Sequence, residues 1–125
     1  FGIIRGLPEP FQRAAAMMFV LSEVHPFDDG NGRVARALMN AELISGGQRR
    51  IIIPSVSRDE YLTGLRVLTR QDHPLPLLQV LDFAQRYTAA IDFSDYDRAV
   101  AMLRATNALD DPRPDLRVRM PQGAK

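Results

Sequence analysis

The chain has 125 residues, with 16 Lys and Arg against 15 Asp and Glu, so its formal net charge is +1. It contains no Cys, which excludes disulfide frameworks, Cys-ligated zinc, iron–sulfur clusters and Cys nucleophiles. The longest apolar run, residues 14–21, is too short to cross a bilayer, and no signal peptide is visible. We therefore expect a cytoplasmic protein with no membrane partner. The near-zero charge also disfavours a helical nucleic-acid-binding domain.

The N-terminal third of the sequence predicts two buried helices. Residues 11–24 are apolar on every face, and this helix must end near His25 because a Pro follows. The next six residues are rich in Asp, Asn and Gly, which is typical of a loop. A second helix over residues 33–44 is apolar around nearly its whole circumference and ends at a Gly-Gly pair. We predict that it is the central helix of a bundle.

The remainder of the sequence predicts three more helices after one short strand-like run at residues 51–54. Ser57 and Glu60 have the spacing of a capping box, and Ser94 is a second cap candidate. The predicted helices cover residues 58–70, 75–91 and 95–109. Since helices dominate and only one short run favours a strand, the predicted fold class is all-α.

Twelve residues at the junction of the first two helices, HPFDDGNGRVAR, contain the candidate chemistry. Gly30, Asn31 and Gly32 precede a helix, so their backbone N–H groups can line a concavity at the positive end of the helix dipole, which is an anion site. Arg33 and Arg36 share one face of the first turn. Because the dipole opposes cations there, a bound polyanion such as a di- or triphosphate best explains the pair.

Two further residues of this segment have side chains suited to phosphate chemistry. A carboxylate beside bound phosphates repels them unless a cation lies between, so Asp29 is a candidate Mg²⁺ ligand. Histidine exchanges protons near neutral pH, so His25 is a candidate general base for an incoming hydroxyl. A plain turn beside a solvated arginine pair is the alternative. An EF-hand fails because Phe27 would occupy a ligand position, and a Walker A loop fails because no Gly-Lys-[Ser/Thr] is present.

The segment resembles the Fic-family motif HPFx[D/E]GNGRxxR and matches it at every defining position. The order of helices around it is also similar to a Fic domain over residues 1–109, which we expect to form a Fic-type all-α bundle around a central buried helix. Residues 110–125 are expected to form a polar, disordered tail. The flap hairpin that precedes the motif in the family is expected to lie mostly outside this chain, as part of a longer protein.

The resemblance implies a protein adenylyltransferase, an enzyme that moves AMP from ATP onto a Ser, Thr or Tyr hydroxyl of a target protein and releases pyrophosphate. It implies that His25 is the general base, that Asp29 holds Mg²⁺, and that Phe27, after Pro26, anchors the loop. Tyr61 is a further candidate for stacking on adenine, although such a Tyr is more often a core residue. The implied phosphate-binding residues are Gly30, Asn31, Gly32, Arg33 and Arg36, with Arg36 closest to the γ-phosphate.

The resemblance also raises the question of regulation and of other transferred groups. In the family, a helix with the pattern [S/T]xxxE[G/N] inhibits through a Glu that pairs with the second motif Arg, here Arg36. No such pattern follows residue 36, so we do not expect self-inhibition from the C-terminal side. An inhibitory helix upstream or on a separate antitoxin chain stays an open alternative. Gly32 favours AMP over Doc-type phosphate transfer, in which Lys replaces this Gly. The alternatives are transfer of another phosphate-containing group, or a nucleotide-binding helical module without turnover, which the intact His25 disfavours.

Overall fold

The computed structural model describes residues 9–24, 31–113 and 115–121. Within these ranges the chain is helical and has no β-strand, which confirms the all-α class. The elements are α1 (Pro10–Val24), α2 (Asn31–Ser45), a 3-10 turn (Ser55–Ser57), α3 (Arg58–Gln71), α4 (Leu75–Ala90) and α5 (Tyr96–Ala105). They fall into two compact units, Phe1–Arg50 and Ile51–Lys125, called here the N-terminal and C-terminal units.

The N-terminal unit consists of α1 packed against α2. Met18 of α1 is fully buried, and Leu21 follows it at helical spacing on the same face. On α2, Ala35, Met39 and Leu43 recur every four residues and are all buried. Each helix therefore contributes one apolar stripe to a shared core, as the sequence periodicity predicts.

We expected apolar residues around nearly the whole circumference of α2 to be buried, but the face opposite α1 is exposed. Leu38 is 40% exposed and Ile44 is 61% exposed. The stripe that faces α1 uses only every fourth residue, so the apolar side chains between stripe positions remain at the surface. In this structure one face of α2 is buried and another face is exposed to solvent.

The C-terminal end of α2 has the glycine stop that the sequence predicts. Gly47 adopts a left-handed conformation with φ of 76°, and the Gln48 N–H donates to the Leu43 carbonyl at 2.8 Å, as in a Schellman motif. Gly46 is needed for a different reason: a Cβ there would lie 2.5 Å from two ring carbons of Pro10. The end of α2 is thus packed against the beginning of α1.

The C-terminal unit has its own apolar core around α4 and α5. The buried residues of this core are Val56, Tyr87, Ile91, Ala99, Ala108 and Val118. Residues 51–54 do not form the predicted strand-like element. Instead, the Ile52 N–H donates to the Thr88 hydroxyl at 3.0 Å, so a side chain of α4 takes the place of a strand partner.

Both predicted helix caps in this unit are wrong in detail. Ser57 precedes α3 but makes no side-chain cap hydrogen bond, because its backbone lies in the 3-10 turn with φ of −93° and ψ of 3°. At α5 the cap is Asp95 and not Ser94, since the Asp95 carboxylate accepts the Arg98 N–H at 3.2 Å. The Ser94 hydroxyl donates to Asp92 instead.

Residues 115–121, which belong to the predicted tail, pack against the rest of the C-terminal unit. Val118 is only 8% exposed, and the Arg119 N–H donates to the Thr106 carbonyl at 2.9 Å. Apolar residues alternate with charged ones over residues 116–120, so one side of an extended chain can be buried while the other stays solvated. The prediction for the tail considered only its polar composition and not this alternation.

Gly64 sets how closely α3 approaches α4. A Cβ at this position would lie 2.9 Å from the Leu77 Cα and 3.1 Å from the Leu77 nitrogen. These are backbone atoms, so a rotamer change cannot relieve the contact. Close packing of the two helices therefore requires a residue without a side chain.

We predict that Gly64→Ala destabilises the protein by about 1–3 kcal/mol, because the added methyl forces α3 and α4 apart. Without that contact, Ala would stabilise a helix interior by about 1 kcal/mol relative to Gly. Urea unfolding followed by circular dichroism measures the difference. Arg66→Ala, at an exposed position of the same helix, is the control and should change little. A gain in stability for Gly64→Ala would show that the two helices are not in close contact.

A buried hydroxyl pair links α4 to the residue after α5. The Thr106 hydroxyl donates to the Met102 carbonyl at 2.8 Å and shares a hydrogen bond with the Tyr87 hydroxyl. Burial raises the pKa of Tyr87 above its usual value, and the hydrogen bond with Thr106 opposes that rise to a smaller extent. The folded protein therefore holds this phenol in its neutral form.

This pKa shift predicts a loss of stability at high pH. Above the ordinary tyrosine pKa, near 10, the unfolded state releases the proton while the folded state still retains it, so unfolding becomes more favourable as pH rises. Tyr87→Phe removes the ionisable group. We expect the stability advantage of the natural protein over this variant to stay constant from about pH 8 to 9 and to shrink from about pH 10 to 11 in urea unfolding. A difference that stays constant over this last range would contradict the assignment.

Candidate functional site

The segment that joins α1 to α2, residues 25–30, lies outside the described residues. The predicted site residues within it are His25, Pro26, Phe27, Asp29 and Gly30. The structure does describe the helix that follows, whose first residues complete the motif. Asn31, Gly32, Arg33 and Arg36 all belong to α2.

The helix begins at Asn31, two residues before the predicted start at residue 33. The first four N–H groups of any α-helix have no partner within the helix. In α2 these are the N–H groups of residues 31–34, so the backbone of Asn31 and Gly32 contributes to the positive end of the dipole. This arrangement is suited to binding an anion.

Arg36 folds back over Gly32. Its Nη1 lies 3.1 Å from the point where a Gly32 Cβ would be, and its Cζ and Nη2 lie 3.8 Å from it. Long side chains in helices normally lean toward the N-terminus and cover the residue four positions earlier. Gly32 therefore leaves room for a guanidinium beside the first turn, and any larger residue would compete with Arg36 for that space.

The electrostatics of this turn favour an anion. Arg33 is exposed and Arg36 is half-buried, and the dipole opposes each cation here by about 0.3–1 kcal/mol. Among the described residues, neither guanidinium takes part in a hydrogen bond or an ion pair. Two cations beside the N–H groups of the first helical turn, with no carboxylate partner among the described residues, favour negative charge at this site.

An ion pair that the sequence analysis missed holds α1 and α2 together. The Arg13 Nε lies 2.7 Å from the Glu42 Oε1, and the two side chains are 20% and 23% exposed. The residues are 29 positions apart, so no helical spacing rule could reveal the pair. It fixes one helix relative to the other, and these two helices lead into and out of residues 25–30.

Tyr61, the candidate for adenine stacking, lies on α3 in the C-terminal unit and is only 5% exposed. Its stacking role stays a prediction. Within the described residues, no group of three or more His, Asp or Glu side chains is arranged to hold a metal ion. None of the helices in the described part is long and apolar enough to span a membrane.

A known protein family matches the part of the chain that contains the motif. Residues 4–43 match the model of the Fic/DOC family. Two relatives named "Protein adenylyltransferase fic-1", from Caenorhabditis briggsae and Caenorhabditis elegans, are each 42% identical over 64 residues, which is 51% of this chain and 13% of the relative. "Protein adenylyltransferase Fic" from Drosophila grimshawi is 40% identical over 63 residues, which is 50% of this chain and 13% of that relative.

The family match covers the motif and most of α2, so it confirms the resemblance to the Fic/DOC family over residues 4–43. The chain spans only about 13% of the length of these relatives.

We predict that the Arg13–Glu42 pair stabilises the packing of α1 on α2. A double-mutant cycle with Arg13→Leu, Glu42→Leu and both together should give a coupling energy of about 1 kcal/mol, because most of each side chain is removed from water. Urea unfolding supplies the four stabilities. The exposed pair of Arg86 and Asp82 is the matched control and should couple by about 0.5 kcal/mol or less. Additive effects at Arg13 and Glu42 would show that the pair contributes nothing.

Proposed function

We propose that the protein is a Fic-type protein adenylyltransferase, which transfers AMP from ATP to a Ser, Thr or Tyr hydroxyl of a target protein. The observation that carries this proposal is the Arg36 guanidinium held over Gly32 at the positive end of α2, without a carboxylate partner among the described residues. Such a site suits the phosphates of ATP. The names of the relatives support the same reaction.

In the proposed reaction, His25 takes the proton from the target hydroxyl. The hydroxyl oxygen then forms a bond to the α-phosphorus of ATP, and the bond from that phosphorus to the bridging oxygen of the β-phosphate breaks. Pyrophosphate leaves with the bonding electrons. Charge builds up on the phosphate oxygens during this step, so donors fixed beforehand around them lower the barrier.

The donors in this proposal come from one loop and one helix turn. Backbone N–H groups of Gly30, Asn31 and Gly32 hold the α- and β-phosphates, and Arg33 and Arg36 neutralise the rest, with Arg36 at the γ-phosphate. A guanidinium suits this task because it stays charged and donates two parallel hydrogen bonds. Tyr61 is a candidate for stacking on adenine.

Asp29 is the residue proposed to hold Mg²⁺. A single carboxylate together with phosphate oxygens is a typical donor set for this ion, so the residues fit the metal. When bound, Mg²⁺ neutralises charge on the phosphates. Asp29 would hold the ion next to the phosphates, and Arg33 and Arg36 would neutralise the remaining phosphate charge.

The proposed partners are a target protein and, for regulation, an inhibitory helix or antitoxin chain whose Glu pairs with Arg36. The absence of a carboxylate partner for Arg36 among the described residues leaves it available for that contact. A different transferred group, or nucleotide binding without turnover, remains the alternative outcome that the following experiment separates.

We predict that His25→Ala lowers AMP transfer by at least about 10²-fold, because it removes the general base, while ATP binding is retained. Transfer is measured as label bound to protein, with ATP labelled on the α-phosphate in one arm and on the γ-phosphate in the other. Only the α label should appear on the product. Thermal shift with ATP and Mg²⁺ checks binding.

The chain offers a matched control, because its other histidine, His73, is exposed in the turn between α3 and α4. His73→Ala should transfer AMP at the natural rate. Unchanged transfer by His25→Ala would contradict its role as base. Transfer of the γ label would indicate a kinase, and ATP binding without labelling would indicate a module without turnover.

A further inference from the structure

The C-terminal unit contains a cavity of about 720 Å³, lined partly by residues of α3 and α4. Ala84 of α4 lies in its wall and is only 2% exposed. Another part of the wall comes from residues 115–121, through Arg117 and Val118. We call residues 115–121 the strap. Because the strap supplies part of the wall, its attachment to the helices decides whether the cavity is closed there.

The strap is attached to the end of α5 through Arg119. The Arg119 backbone N–H donates to the Thr106 carbonyl at 2.9 Å, and the Arg119 Nη2 donates to the Ala105 carbonyl at 2.9 Å. Ala105 is the last residue of α5, so its carbonyl has no acceptor role within the helix. The guanidinium also brings a positive charge to the negative end of the helix dipole. Arg119 therefore caps α5 from 14 residues farther along the chain.

The other attachments of the strap depend on side chains. The Asn107 side-chain amide donates to the Arg117 carbonyl at 3.2 Å. The Arg117 Nε lies 3.3 Å from the Glu60 Oε1, in an ion pair that is largely exposed to solvent, and such pairs contribute little stability. Val118 is buried in the core of the unit. The strap contains no helix or strand, so no regular pattern of backbone hydrogen bonds holds it in place.

The helices keep most of their own contacts without the strap. Among the six described buried residues of the core around α4 and α5, Val118 alone belongs to the strap. The close contact of α3 with α4 is made by Gly64 and Leu77, which also lie outside it. A segment with few buried apolar contacts opens at a lower free energy than the domain as a whole. The strap meets this condition, whereas α3 and α4 do not.

We propose that the strap detaches from the helices as a unit, without global unfolding, and that its detachment opens the cavity to solvent. The Arg119 cap controls how often this happens, because its contact with the Ala105 carbonyl is made only when the strap is attached. Ala84 is buried while the strap is attached and becomes accessible when it leaves. The cavity thus has an entrance that is closed in the structure described.

Hydrogen exchange, measured at single amides by NMR on the full 125-residue chain, tests the detachment. The Arg119 amide reports on the strap, and the Leu81 amide, in the interior of α4, reports on global unfolding. After correction for intrinsic rates, Arg119 should exchange at least about tenfold faster than Leu81. Low urea concentrations should accelerate Leu81 more strongly, because global unfolding exposes more surface. Equal rates with equal urea dependence, or an unprotected Arg119 amide, would overturn the proposal.

Two substitutions separate the strap from the helices. Leu77→Val removes one methylene from a fully buried side chain outside the cavity lining. It should accelerate exchange at Leu81 by about fivefold and leave Arg119 unchanged. Arg119→Gln should accelerate exchange of its own amide by about tenfold, the scale of a lost charge-assisted hydrogen bond. Arg104→Gln, which removes the same charge from the last turn of α5, is the control and should have little effect.

Equal acceleration of both amides by Leu77→Val would show that the strap leaves only when the whole unit unfolds, which contradicts the proposal. Equal effects of Arg119→Gln and Arg104→Gln would contradict the role of the Arg119 cap.

Thiol labelling tests whether detachment opens the cavity, because the natural chain contains no Cys. Ala84→Cys places a thiol in the cavity wall, where the natural side chain is buried, so a thiol reagent should label it slowly. Adding Arg119→Gln should accelerate labelling by about tenfold, in parallel with hydrogen exchange, and adding Arg104→Gln should not. Circular dichroism shows that each variant is folded. Labelling that does not respond to Arg119→Gln would overturn the link between the strap and the cavity, and hydrogen exchange decides the detachment independently of this thiol.

Discussion

The candidate site in the N-terminal unit depends on one electrostatic feature: two guanidinium groups lie at the positive end of the α2 dipole. Helix dipoles favour anions at this end, so Arg33 and Arg36 act against the intrinsic preference of their own helix. No described carboxylate compensates them. The rest of the unit holds this turn in position, through the stripe of Met39 and Leu43 against α1, and through the Pro10 contact with the glycine stop.

This constraint explains why the proposed chemistry needs so few special side chains. In phosphoryl and nucleotidyl transfer the enzyme mainly positions the reacting groups and stabilises charge, and backbone N–H groups with arginines do both. Gly32 matters because its missing side chain admits the Arg36 guanidinium to the first turn. The Arg13–Glu42 pair matters because it keeps α1, which leads to His25, in register with α2.

The sequence predicts those features that depend on local spacing. Helix positions follow from apolar periodicity and from Gly and Pro, and a separation of three residues places Arg33 and Arg36 on one face of α2. Features that depend on distant contacts were missed or wrong. Ser57 makes no cap hydrogen bond because it lies in a 3-10 turn. Val118 packs into a core whose other buried residues, from Val56 to Ala108, come earlier in the chain.

The most direct test of the central claim compares ATP and AMP binding to the natural protein and to Arg36→Ala by calorimetry with Mg²⁺ present. If Arg36 serves the terminal phosphates, its loss should weaken ATP by about tenfold or more, as expected for a lost charge-assisted contact, and leave AMP nearly unchanged. Arg66→Ala should change neither affinity. Equal losses for ATP and AMP, or no loss for either, would contradict the placement of a triphosphate at the N-terminus of α2.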